Sequence, residues 1–403
     1  MRRFVLNLLL SASYFVGIFT VFALVIRFCG TENPVSRNSF LVWDTIHYYD
    51  IVKNGYNPAS TAFFPLFPFF WKITGLGGIG IAVLNGIIFI LSVSYLATVL
   101  NLPSKIYLLL LTFPSIFFCF IPYSESLFFL GGCLLLVGII QGKNYLALAG
   151  ILIDSITRPV AAVFVPAFII MALFTVAEAK ERRRNALLYS LTAVAGLLLV
   201  LFIQYSATGE WFTFFKAQRD GWGNSFRLPR FHFTSWNGDN IVRLDATAFL
   251  IGMSATAALG YMLLKRKLKE MNPALLFSLL YLAGICWLVL FTRGGSMFSL
   301  NRFIYATPFF FVALPELIKI RWSIKNYILL FVTVNAFWLL FGSYVHIQQV
   351  LIYLLLTIFL FSLLFISHPK RIINMVGYSV FMLGNITLQI YFFQWFLNGG
   401  WVG

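Results

Sequence analysis

Long apolar runs separated by short polar breaks repeat along nearly the whole chain, and many reach the roughly 18 residues that mark a membrane-spanning helix. The first, residues 4–26, follows a short basic head and is too long for the core of a cleaved signal peptide, so it is read as a retained helix. Further spans are expected near 79–100, 104–121, 125–141, 143–156, 159–177, 186–206, 246–264, 273–291, 302–318, 326–343, 348–366 and 373–397, for a total of 13 within a range of 11–15. The pattern predicts an all-α polytopic membrane protein with one integral membrane domain, 1–403. Two long polar intervals, 28–78 and 207–245, interrupt it, and a variable set of C-terminal helices, 316–403, closes it.

Composition adds little to that outline. Sixty per cent of residues are hydrophobic and 10% charged, and the 46 phenylalanines are expected to face lipid or neighbouring helices. A net charge of +16 belongs with basic cytoplasmic loops, and no nucleic-acid partner is expected. With the N-terminus inside, 17 of the 29 Lys and Arg residues fall in short cytoplasmic segments. The other 12 are spread over the longer outer segments. Both polar intervals then lie outside. Cys29, Cys119, Cys133 and Cys286 have no metal-ligand spacing and read as packing residues.

The outer basic residues include Arg37, Arg158, Lys216, Arg219, Arg293 and Arg302. Each alone suits a lipid headgroup; together they suggest an anionic ligand. The densest chemistry lies in Trp43–Phe70, WDTIHYYDIVKNGYNPASTAFFPLFPFF. A helix from Asp44 would align His47, Tyr48 and Ile51 with it and turn Asp50 elsewhere. On residue type alone Asp44 caps this helix or serves as a general base, and His47 is an interfacial residue or its neighbour at the base. The twice proline-interrupted AFFPLFPFF is read as an aromatic wall at the interface.

Trp43, Asp44, His47, Tyr48, Gly55, Tyr56 and AFFPLFP together resemble the signature of the PIG-V-like mannosyltransferases, membrane enzymes of the GT-C class. The likeness continues in order through PSIFFCFIPYSESLFF (114–129), SITRPVAAVFVP (155–166), TGEWFTFFKAQRDGW (208–222) and SMFSLNRFIYATPFFFVALP (296–315). It places Glu125, Arg158, Gln218, Trp222 and Arg302 in corresponding positions. The resemblance implies an inverting glycosyltransferase that takes a sugar, mannose in the family, from a polyprenyl-phosphate donor to a lipid-linked or surface glycan acceptor.

In that reading Asp44 removes the acceptor proton, with His47, Tyr48, Asp50 and Glu125 in support. Arg158 and Arg302, and more weakly Lys216 and Arg219, hold the donor phosphate. Trp43, Tyr56, Phe64, Gln218 and Trp222 line the pocket. No DxD motif or Gly-rich nucleotide cradle is present, so neither a metal nor a cofactor is expected. Membrane lipids are partners, and the class leaves room for an accessory membrane subunit. A transporter of lipid-linked saccharides is the alternative, although no internal repeat is evident. The one sequon, Asn385-Ile-Thr387, falls inside the last expected helix and points to a prokaryotic plasma membrane rather than the endoplasmic reticulum.

Overall fold

A computed structural model describes residues 2–28, 39–174, 179–236, 239–320, 322–342 and 346–403; Cys29 and Arg37 lie outside them. The chain begins with α1 (Arg2–Phe28), and the first polar interval contributes α2 (Asp44–Asn54) and α3 (Leu66–Thr74). The apolar body follows as α4 (Gly78–Val99), α5 (Ser104–Leu111), α6 (Glu125–Gln141), α7 (Asn144–Thr157), α8 (Ala161–Phe174) and α9 (Ala179–Thr208). After α10 (Thr213–Trp222) come α11 (Asp239–Leu264), α12 (Pro273–Arg293), α13 (Leu300–Tyr305), α14 (Pro308–Lys319), α15 (Ile324–Trp338), α16 (Ile347–Leu364) and α17 (Arg371–Leu397). Among the described residues, seven helices are long and apolar enough to cross a membrane: α1, α4, most of α9 and α11, α12, α16 and α17. The protein is therefore an integral, multi-pass membrane protein.

Where the expected spans change shape, proline is the reason. The stretch 104–121 is α5 followed by a 3-10 segment, Pro114–Phe120, which meets α6 at a bend of 102°. Pro114 and Pro122 cannot donate to a helical ladder and break it there. Non-helical backbone at membrane depth must find its hydrogen bonds elsewhere. Asn85 of α4, wholly buried, supplies them: its side-chain NH2 donates to the carbonyls of Ile121 (2.7 Å) and Tyr123 (2.9 Å). Likewise 302–318 divides into α13 and α14 just before Pro308.

Small residues set the tightest helix pair. In α6 and α7 a Cβ on Gly150 would lie 2.3 Å from the carbonyl oxygen of Gly131, and one on Gly138 2.4 Å from the amide nitrogen of Ala147. Only glycine lets the two backbones approach this closely, the usual device where lipid removes the hydrophobic drive. The antiparallel α6–α7 hairpin brings the start of α6 level with the end of α7.

Hydrogen bonds sort the helix ends into two sets. At one end Arg3 donates to Asn101 Oδ1 and the Leu102 carbonyl, Tyr378 bonds the Lys105 carbonyl, and Tyr189 bonds Asn144. At the other, α2, the Pro122–Ser124 corner, the end of α7, α10 and α13 converge, and the site lies there. Asn385 of the sequon is buried in α17 and donates to Thr112, so it is closed to a glycan.

Candidate active site

Asp44 opens α2, where it is 5% exposed and its backbone N–H donates to the Tyr123 hydroxyl (3.3 Å). The residue before it, Trp43, has φ +54°, a backbone region that costs an ordinary residue about 1–3 kcal/mol. Asp44 Oδ2 accepts from Arg302 Nη1 at 2.7 Å. Arg302 also lies 3.7 Å from Glu125 Oε1, the first residue of α6, whose N-terminal dipole favours a carboxylate. The same Glu125 oxygen pairs with Arg158 Nη2 at the end of α7. Two carboxylates and two guanidiniums thus alternate in one buried chain, Asp44, Arg302, Glu125, Arg158.

Two sets of contacts fix its geometry. Ser124 Oγ accepts from both Tyr48 (3.1 Å) and Arg158 Nε (3.2 Å), joining α2 to the end of α7. Burial, then the charges of Asp44 and Glu125, raise the Tyr48 phenol above its ordinary pKa, so it stays a donor. The Phe303 ring carries Arg302 at 5.3 Å, Arg158 at 5.4 Å and Arg293 at 5.9 Å around it, a cation–π arrangement that holds three like charges in one place.

Arg293, at the end of α12, is grouped by the sequence only with the other outer cations, and the structure brings it into the site. Its Nε donates to Asn224 Oδ1 (3.1 Å), its Nη1 to the Phe298 carbonyl, and its guanidinium stacks 3.6 Å above the Phe298 ring. No ion pair to it occurs among the described residues, so the cluster carries one more cation than anion. It is placed by an extended strap, 224–236, which caps the α12–α13 connection through Ser225 to Thr292, Arg227 to Phe291 and Thr234 to Gly295. Within the tetrad, Arg158 Nη1 and Arg302 Nε are buried and meet no hydrogen-bond partner.

These groups border a cavity of about 380 Å³. Its polar end holds Asp44, Tyr48, Ser124, Arg158, Arg293 and Arg302, and most of the remaining wall is apolar, from α8, α9, α10 and α12. That volume suits one sugar with part of a lipid chain.

The other expected residues divide. Phe64, Gln218 and Trp222 line the cavity, whereas Trp43 is not among its lining residues and packs against Trp401, which is. Tyr56 stands behind it, donating to the Phe63 carbonyl (2.9 Å). Of AFFPLFPFF, Ala62, Phe63 and Phe64 reach the cavity, whereas Phe67 turns inward against Tyr48.

His47 is exposed and stacks on Phe63 (4.9 Å) rather than facing the cavity with Asp44. At about 100° per residue it stands some 60° to one side of Asp44, while Tyr48 and Ile51 lie closer to its direction. Asp50 accepts from Asn54 (2.7 Å) and Asn57 (3.2 Å), outside the cavity. Lys216 and Arg219 occupy the outer face of α10 and pair with Glu210 and Asp220 at 3.3 and 2.7 Å. The opposite face of that helix, Phe214, Ala217 and Gln218, turns inward, so the structure does not bring Lys216 and Arg219 to the other arginines.

No group of three or more His, Cys, Asp or Glu side chains able to hold a metal ion occurs among the described residues. No family model, curated protein or solved structure matches the chain.

Proposed function

We propose that the protein is an inverting membrane glycosyltransferase of GT-C architecture. It moves a sugar, mannose by its resemblance, from a polyprenyl-phosphate donor to a lipid-linked or surface glycan acceptor. The observation that carries this reading is the meeting of Asp44 with three guanidiniums at the polar end of an otherwise apolar cavity. A lipid phosphate needs cations for its head and an apolar wall for its chain, and an attacking hydroxyl needs a carboxylate.

In the reaction Asp44 takes the proton of an acceptor hydroxyl as that oxygen bonds to the anomeric carbon. The bond from that carbon to the phosphate oxygen breaks on the opposite face, and its electron pair leaves with the phosphate. Arg302 occupies only Oδ2 of Asp44, which leaves Oδ1 to receive the proton. The unbonded Arg158 Nη1 and Arg302 Nε, with the surplus charge of Arg293, stabilise the phosphate as it departs.

In this reading the chain crosses the membrane 13 times with its N-terminus in the cytoplasm and the cavity on the outer face of a prokaryotic plasma membrane. The two-ended sorting of polar contacts and the excess of Lys and Arg at the end opposite the cavity support that orientation.

The test is transfer by the purified protein in nanodiscs, with polyprenyl-phosphate mannose and lipid extracts as acceptors. Product mass and anomeric configuration are read directly. Inverted transfer is expected. Absence of transfer with any polyprenyl-phosphate sugar, together with saccharide translocation in proteoliposomes, would replace the reading with transport.

A further inference from the structure

Trp43, Trp236 and Trp401 come from three distant parts of the chain and meet beside Asp44. Ring centroids of Trp43 and Trp401 are 5.0 Å apart at 77°, those of Trp236 and Trp401 5.3 Å at 46°, and those of Trp43 and Trp236 6.4 Å at 63°. The rings therefore form a faceted corner and not a parallel stack. Trp401 is 2% exposed and lines the cavity with Asp44, while Trp236 is 51% exposed and keeps the corner open.

The corner is built, not incidental. The chain turns at Gly399, φ +80°, and the carbonyl of Val402 accepts from Asn301 Nδ2 (3.1 Å). Asn301 is itself locked, donating through Nδ2 and its backbone N–H to Asp245 Oδ1 at 2.7 and 2.9 Å and accepting from Ser115 (2.8 Å). Trp401 is thus anchored by the neighbour of Arg302. At Trp43 the backbone is held in a region that L residues rarely adopt.

Both Trp43 Nε1 and Trp401 Nε1 are buried and make no hydrogen bond. A buried indole N–H ordinarily finds an acceptor, and leaving one unmet is costly. Two such donors in one aromatic corner, next to the proposed base, match one ligand chemistry. A pyranose presents a face of C–H bonds to an aromatic ring and an edge of oxygens to N–H donors.

We propose that the Trp43–Trp236–Trp401 corner is the subsite for the acceptor saccharide, packing one pyranose ring and donating to its oxygens from Trp43 and Trp401. The proposal rests on the glycosyltransferase reading, because it places the acceptor beside the residue that takes its proton. Trp401 lines the same cavity as Asp44, so a sugar held against it has the carboxylate within that cavity.

The experiment uses the full chain in nanodiscs with two probes, a panel of octyl mannoside, glucoside and galactoside for the sugar and farnesyl phosphate for the donor head. Trp236→Ala is expected to weaken binding of the best octyl glycoside about tenfold. Trp401→Phe, which keeps a ring but removes the N–H, is expected to weaken it about three- to tenfold. Farnesyl phosphate affinity should stay within about twofold in both variants, which also shows that they fold. Unchanged octyl glycoside affinity in both variants, a parallel fall in farnesyl phosphate affinity, or no binding of any octyl glycoside by the wild type overturns the subsite. If wild-type protein binds sugar as expected yet transfers none, the glycosyltransferase reading fails while the saccharide corner stands.

Discussion

Asp44→Asn separates chemistry from architecture at the centre of the cluster. Loss of a general base typically costs about 10²–10⁴ in rate, or roughly 2.7–5.5 kcal/mol at 1.36 kcal/mol per tenfold. The same change removes a buried charge from an ion pair of 2.7 Å, and breaking such a pair outright costs about 3–5 kcal/mol. Two features reduce that figure here. The amide keeps an oxygen for Arg302 to bond, and Glu125 Oε1 remains 3.7 Å from the same guanidinium nitrogen.

The double variant Asp44→Asn with Arg302→Gln removes both charges and leaves Glu125 paired with Arg158. It should therefore recover melting temperature without recovering turnover. The assays are transfer of labelled sugar in nanodiscs and thermal melting of the same samples. Turnover in Asp44→Asn within tenfold of wild type, or turnover that returns with stability in the double variant, refutes Asp44 as the base.

Arg158→Lys keeps the charge but gives up a rigid fork that already spans Glu125 and Ser124, so farnesyl phosphate affinity measured by titration should fall about tenfold or more. Lys216→Ala and Arg219→Ala remove only solvent-screened pairs on the outer face of α10 and should leave turnover within about twofold. Gly150→Ala sets a methyl 2.3 Å from the Gly131 carbonyl oxygen and should lower stability by about 1–3 kcal/mol, seen as a lower melting temperature. Gly260→Ala, in a helix with open space around the new methyl, should leave melting unchanged or slightly raised.

What could be read from residues alone follows the range of the interactions. Helical periodicity separates Asp44 from Asp50, since one side of a short amphipathic helix must be buried. Periodicity also contained the fate of Lys216 and Arg219, because Phe214, Ala217 and Gln218 define the opposite face of α10. Counting i to i+3 as one face admitted His47, which stands at the edge of it. Arg293 was visible as a cation near a helix end, but its place beside Arg302 depends on a strap from 224–236 crossing the α12–α13 connection. The Trp43–Trp401 contact joins residues far apart in the chain, and no local pattern announces it. Long spans were legible by length, whereas the 102° corner at Pro122–Ser124 required knowing that Asn85 would satisfy its carbonyls.

The spacing of the buried ion pairs along the chain sets an order for biogenesis. Glu125 meets Arg158 within one helical hairpin, but Asp44 and Arg302 are separated by 258 positions. At a synthesis rate of roughly 5–20 residues per second, Arg302 is made on the order of 10–50 s after Asp44. Throughout that interval the nascent chain holds a carboxylate at the membrane without its final partner, and such groups are costly there. Completion of α13 is therefore the step at which Asp44 gains its ion-pair partner.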